Sequence, residues 1–151
     1  MNQVSESIMI SAPKSKVFDA FVNHIDRWWP RVGTYRYSFA QAPKKSLHIQ
    51  FEAKLNGRFY EEYDDGSSYE IGRITSWQPP DRLAYTWRDP KWPASTNVTV
   101  TFVEADGITT VTVLHAGFGN AGIPDVAEGY QAGLAEILEG MQTWFCTNQL
   151  N

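Results

Sequence analysis

Trp77-Gln78-Pro79-Pro80-Asp81-Arg82-Leu83-Ala84-Tyr85-Thr86-Trp87 is the stretch on which the reading of this chain turns. A strand ends at an aromatic, a rigid Pro-Pro turn reverses direction, and a second strand returns with Leu83, Tyr85 and Trp87 alternating. Successive side chains of a strand point to opposite faces, so these three share one face and form a large apolar wall. Alone, such a hairpin fits a plain hydrophobic core as well as a lined cavity. Its neighbours decide between them.

Working outward, strand-like segments lie at residues 4–10, 47–53, 58–63, 69–77, 83–87, 97–103 and 109–115. Turn signals separate them: Asn56-Gly57, Asp64-Asp65-Gly66-Ser67, Pro79-Pro80, Pro90 with Pro93, and Asp106-Gly107. Spacings this short mean hairpins, hence an antiparallel meander rather than βαβ units. After the first strand, in which Ile8 and Ile10 share a face, Ser11-Ala12-Pro13 offers a cap and a proline at the first helical position. Val17, Phe18, Phe21 and Val22 follow at helical spacing, and a second helical turn is expected over residues 24–29, stopped by Pro30. Residues 31–46 show no period and are expected to form a long loop. Residues 124–148 read as one long amphipathic helix, with Val126, Tyr130, Leu134, Ile137, Leu138, Met141, Trp144 and Phe145 three or four apart. Asp125 and Glu128 lie near its start, where the helix dipole favours acids.

This order predicts an α+β helix-grip fold in a single domain over residues 1–151. A curved antiparallel sheet of about seven strands wraps the long C-terminal helix, with two short helices after the first strand. One helix does not fill the concavity of so wide a sheet. The remainder is either packed with large side chains or left as an internal cavity.

The 151 residues suffice to bury a sizeable core, and 42% hydrophobic with 20% charged residues is ordinary for a globular protein. Aromatic content of 14%, with six Trp, is high and suits both a core and an apolar pocket. A net charge of −4 argues against a nucleic-acid binder. The single Cys146, among Met141, Trp144 and Phe145, is expected to be a small buried hydrophobe. The N-terminus carries no basic and apolar leader pattern and no run is long enough to span a membrane, so a cytoplasmic location is expected. Asn97-Val98-Thr99 matches a glycosylation sequon that such a location leaves unused.

Several motifs resemble a known family. Ser11-Ala12-Pro13-Lys14-Ser15-Lys16-Val17-Phe18-Asp19-Ala20-Phe21 resembles the opening helix of the START-like (SRPBCC) superfamily, whose fold is also called Bet v 1-like. Within it the chain is similar to the family named after the activator of heat-shock protein 90 ATPase, in its bacterial stand-alone form. Asp26-Arg27-Trp28-Trp29-Pro30, Leu55-Asn56-Gly57-Arg58-Phe59-Tyr60-Glu61, the stretch from Gly72-Arg73-Ile74 through Trp87, and Leu114-His115-Ala116-Gly117-Phe118 carry the likeness. Glu128-Gly129-Tyr130 leading to Leu134 and Leu138 resembles the family's last helix, with Tyr130 where Trp is usual. The eukaryotic co-chaperone carries an additional N-terminal domain for which this chain has no room. The resemblance implies the helix-grip fold; its superfamily spans lipid carriers, cyclases, receptors and chaperone cofactors, so it does not single out a chemistry.

Among residues able to do chemistry, His115 shares parity with Val111 and Val113 and should face the concave side. It is either a polar contact or acid/base at the cavity, or a hydrogen-bonded residue fixing the strand-to-helix corner. Glu61 shares parity with Phe59 and Tyr63; if buried, it needs an Arg or Tyr partner. His24, His48 and His115 are too scattered for a metal site, and no nucleophile elbow, phosphate loop or dinucleotide fingerprint is present, so no cofactor is expected.

Residues 27–51 contain Arg27, Arg31, Arg36, Lys44 and Lys45 with no acid, interleaved with Trp28, Trp29, Tyr35, Tyr37 and Phe39. Residues 52–70 contain six acids: Glu52, Glu61, Glu62, Asp64, Asp65 and Glu70. The basic segment reads as a lid whose cations would meet an anionic head group, as a solvated loop, or as a self-association surface matching the acidic strands in a homodimer.

Three functions stay open. The first is a cavity binding a small hydrophobic or aromatic molecule, lined by Trp29, Phe59, Glu61, Tyr69, Ile71, Tyr85, Trp87, His115, Phe118, Tyr130, Leu134 and Leu138. The second is a cyclase- or hydrolase-type enzyme using His115 or Glu61. The third is a chaperone cofactor or other protein-partner module, with a filled cavity and the basic-aromatic segment as its face. These strand faces rest on parity, which a single β-bulge reverses.

Overall fold

The computed structural model describes residues 2–30 and 37–148. β1 (Gln3–Ile10) leads into α1 (Lys14–Asn23) and α2 (Ile25–Trp28). Six strands follow: β2 (Ser46–Phe51), β3 (Arg58–Tyr63), β4 (Ser68–Gln78), β5 (Arg82–Trp87), β6 (Thr96–Ala105) and β7 (Ile108–Ala116). A 3₁₀ turn (Pro124–Val126) then runs into α3 (Ala127–Asn148). All seven strands form one antiparallel sheet in the order β1-β7-β6-β5-β4-β3-β2, so the first strand lies beside the last. The sheet curls around α3, giving the helix-grip fold expected from the sequence.

Alternation places the core. On β6, Thr96, Val98, Val100 and Phe102 are buried, and on β7 so are Thr109, Val111, Val113 and His115. Together with Leu83 and Tyr85 of β5 they make the concave wall. Asp106 and Gly107 join β6 to β7 with φ of 54° and 75°. Positive φ at both central residues is the hairpin turn whose twist matches that of the strands, and it sets the Ala105–Ile108 register.

Register shifts interrupt the β2–β3, β3–β4 and β4–β5 ladders. Within β4, Ile71 and Ile74 are therefore both buried although three residues apart, which strict alternation forbids. Gly72 lies between them, where a β-carbon would fall 1.7 Å from the Thr86 carbonyl oxygen. Only glycine lets β4 approach β5 this closely.

Two local expectations need correction. Pro13 is the N-cap of α1 rather than its first helical residue and offers no side-chain cap; the Lys14 amide donates to the Glu104 carboxylate at 2.8 Å. The Pro13 carbonyl accepts from the Lys16 and Val17 amides. Cys146 is exposed, not buried. The buried stripe of α3 runs through Leu138, Met141 and Phe145, and the next residue turns about 100° away from it. Among the described residues no helix is long and apolar enough to cross a membrane.

Candidate functional site

α3 does not fill the sheet's concavity. Between them is a cavity of about 480 Å³. Tyr85 and Trp87 of β5, Val98 of β6, and Val113 and His115 of β7 form its sheet wall. Tyr130, Leu134 and Leu138 of α3 face them. Trp28 of α2, Trp29 just after it and the Tyr37-Ser38-Phe39 segment close it from above, and the exposed Gln41, Pro90, Lys91 and Asp125 form a rim. The helical glycines Gly129 and Gly133 also line the space, and a β-carbon on Gly129 would meet nothing within 4 Å. Their missing side chains enlarge the cavity on the helix side.

The roof is pinned from both sides. Glu61, 2% exposed on β3, accepts from the Ser38 hydroxyl at 2.6 Å, the Phe39 amide at 2.9 Å and the Tyr63 hydroxyl at 2.9 Å. Tyr37 donates its hydroxyl to Glu136 of α3 at 2.6 Å, and Trp29 donates its indole N–H to the Tyr37 carbonyl at 2.9 Å. The buried carboxylate thus acts as the anchor of a strap spanning sheet and helix.

Polar groups reach the lower part of the cavity at three aromatic rings. The Trp87 indole N–H donates to the Tyr130 hydroxyl at 3.1 Å. His115 Nε2 lies 2.6 Å from Thr96 Oγ1, which itself donates to the Trp87 carbonyl at 2.8 Å. The His115 and Tyr130 rings meet edge-to-face at 5.3 Å. Burial lowers the His115 pKa to about 3 and raises that of Tyr130 to about 12, so both are neutral over the physiological range. The Tyr85 phenol is pushed up by burial as well.

Of the twelve residues expected around the cavity, Trp29, Tyr85, Trp87, His115, Tyr130, Leu134 and Leu138 lie on its surface. The other five sit behind it. Phe59 is fully buried, stacked 4.2 Å from Phe51 and edge-on to Tyr85, and fills the β3 end of the concavity. Ile71 is sealed in the same core. Glu61 is covered by the strap it holds, and Phe39 comes between Tyr69 and the cavity, its ring 5.2 Å from Tyr69. Phe118 packs beneath the floor against His115 at 4.6 Å and Tyr130 at 5.6 Å, in a separate cluster with Val4, Trp92 and Ala127.

The basic segment divides. Tyr37, Ser38 and Phe39 cover the cavity, whereas Lys44 and Lys45 turn to the acidic β3–β4 turn. Lys44 Nζ lies 3.6 Å from Asp65; the Lys45 amide donates to the Asp64 carboxylate at 3.0 Å, and the Asp64 amide donates to the Lys45 carbonyl at 2.9 Å. Lys44 thus meets an acid of its own chain. Arg31, Tyr35 and Arg36 lie outside the described residues. Sequence reasoning missed Thr96, although its parity with Val98 and Val100 placed it on the concave face. It also missed Gly129 and Gly133, whose contribution is the absence of a side chain. Among the described residues no group of three or more His, Cys, Asp or Glu side chains is arranged to hold a metal ion.

Residues 11–145 match the family described as Activator of Hsp90 ATPase homolog 1-like protein. Among solved structures, protein MLL2253 from Mesorhizobium loti is 18% identical, with 97% of this chain and 98% of that one covered and a TM-score of 0.68. Protein CV1439 from Chromobacterium violaceum is 22% identical over 95% and 96% of the two chains, with a TM-score of 0.68. The anthrahydroquino-γ-pyrone synthase Txn09 is 29% identical over 77% of each chain, with a TM-score of 0.53. No match was found among curated proteins.

Proposed function

We propose, from the premise that this chain belongs to the Activator of Hsp90 ATPase homolog 1-like family, that its cavity binds a small planar apolar or aromatic molecule. The fold is one that commonly binds hydrophobic ligands. The observation that carries the reading is the cavity of about 480 Å³, walled by Trp29, Tyr85, Trp87 and Tyr130 with few polar side chains among them. Aromatic rings supply large contact areas at small conformational cost, and burying apolar surface contributes about 25 cal/mol per Å². One or two polar anchors then suffice for micromolar affinity. A protein-partner module needs no such space.

A catalytic reading draws on the likeness to the synthase Txn09, which would make the chain a cyclase acting on an aromatic precursor. Its two candidate residues are poorly suited to proton transfer. His115 is held neutral far below physiological pH by burial. Glu61 is tied up by three donors behind the roof. Binding is therefore the reading the geometry supports best.

Native mass spectrometry of gently purified protein, with extraction of any released compound, tests it directly. A stoichiometric small molecule is expected. Empty protein that also shows no thermal stabilisation across a panel of aromatic and aliphatic ligands would refute the binding reading and favour a protein-partner role.

A further inference from the structure

His115 is 6% exposed, and its two ring nitrogens are not equivalent. Thr96 has one hydroxyl proton, and it is directed to the Trp87 carbonyl, which can only accept. At the 2.6 Å contact the Thr96 oxygen therefore accepts, and His115 Nε2 carries the hydrogen. In a neutral imidazole the other nitrogen then holds a bare lone pair. Among the described residues Nδ1 has no hydrogen-bond partner. Nor is it sealed in the core: among the described residues, the Ser46 hydroxyl is the one fully buried side-chain polar atom without a partner. His115 lines the cavity, and Nδ1 is the ring nitrogen that Thr96 leaves unengaged. The Tyr85 and Tyr130 hydroxyls nearby can donate or accept, whereas Nδ1 can only accept.

We propose that this fixed acceptor sets the ligand class: a neutral apolar ring bearing a hydrogen-bond donor, a phenol or enol hydroxyl, in preference to a bare hydrocarbon or a carboxylate. The inference rests on the cavity-binding reading and deepens it. A hydroxyl satisfies Nδ1, a hydrocarbon leaves it unpaired, and a carboxylate sets its own lone pairs against it. The Thr96–Trp87 relay holds the tautomer because reversing it would set two acceptors, the Thr96 oxygen and the Trp87 carbonyl, against each other at 2.8 Å.

The test is a titration of naphthalene, 2-naphthol and 2-naphthoate at pH 7, read by quenching of the cavity tryptophans and by calorimetry. 2-Naphthol is expected to bind about tenfold tighter than naphthalene, and 2-naphthoate at least about tenfold more weakly than 2-naphthol. In His115→Phe, naphthalene binding should survive and the preference for naphthol should fall to about twofold or less. Equal binding of naphthol and naphthalene, or a preference that persists in His115→Phe, overturns the inference while leaving the cavity reading intact. No binding by any of the three overturns both. Should His115→Phe fail to fold, nitrogen NMR of the unaltered protein decides: a protonated Nε2 and bare Nδ1 are expected, and a protonated Nδ1 overturns the proposal. Thr96→Val should release that bias and weaken the preference.

Discussion

The Trp87 indole N–H donates to the Tyr130 hydroxyl across 3.1 Å, with the rings edge-to-face at 6.2 Å. This contact ties the end of β5 to the first turns of α3 across the cavity floor. Tyr130→Phe keeps the ring packing and leaves the indole N–H without its partner. The expected cost is about 1 kcal/mol, or a fall in Tm of about 2–4 °C for a chain of this size. Thermal unfolding followed by near-UV dichroism measures it, and an unchanged Tm would mean that the bond contributes nothing net.

Glu61 organises the roof by charge as well as by shape. Glu61→Gln is nearly isosteric, but a neutral amide replaces the carboxylate on which the Ser38 and Tyr63 hydroxyls and the Phe39 amide converge. We expect a loss of about 1–3 kcal/mol, since hydrogen bonds to a charged acceptor are the stronger kind. Amide exchange at Phe39 should accelerate more than exchange in β6 and β7, because the strap opens before the sheet does. Uniform acceleration along the chain would assign Glu61 to global stability alone.

The architecture was legible because hydrophobic period and turn chemistry agreed along the chain. Leu83 and Tyr85, Val98 to Phe102 and Val111 to His115 are buried on the parity that alternation assigned them. The site was half legible, for a physical reason. Parity says which face of the sheet a residue occupies, not whether the concavity above it is filled. Phe59 and Ile71 face inward as expected, yet neighbouring rings occupy the space over them. The strap that covers Glu61 has no period to read, since its order comes from long-range bonds to Glu61 and Glu136. Cys146 is exposed although it follows the buried Phe145, because neighbours in a helix point about 100° apart.

Glycine substitutions should divide sharply by location. Gly133 is helical, and a β-carbon there would meet only Tyr37 at an ordinary 3.8 Å. Gly133→Ala is expected to stabilise the protein by up to about 1 kcal/mol through helix propensity. Gly72→Ala forces a β-carbon to 1.7 Å from the Thr86 carbonyl oxygen, so β4 must separate from β5. A loss of more than about 3 kcal/mol is expected, in the range kept for overpacking and broken ladders. Urea unfolding of both variants checks the contrast. A mild effect at Gly72 would show that the β4–β5 approach is slack.

Acid should destabilise the protein in part through His115. Burial lowers its folded-state pKa from 6.5 to about 3, so between these values the unfolded chain binds a proton that the folded chain excludes. Stability rises with pH wherever the unfolded state binds more protons. The contribution is therefore fully present above pH 6.5, declines as pH falls, and is exhausted near pH 3, where both states are protonated. Carboxylates titrate in the lower part of this window, so the difference from a non-titrating variant isolates the histidine. His115→Gln retains a donor for Thr96 and cannot take up the proton. Between pH 7 and 4.5 it should lose about 2–3 kcal/mol less than the unaltered protein, each unit of proton uptake by the unfolded state alone being worth about 1.4 kcal/mol. Equal losses in urea titrations at the two pH values would mean that folded His115 accepts the proton too. Nδ1 would then be wetter than its enclosure implies.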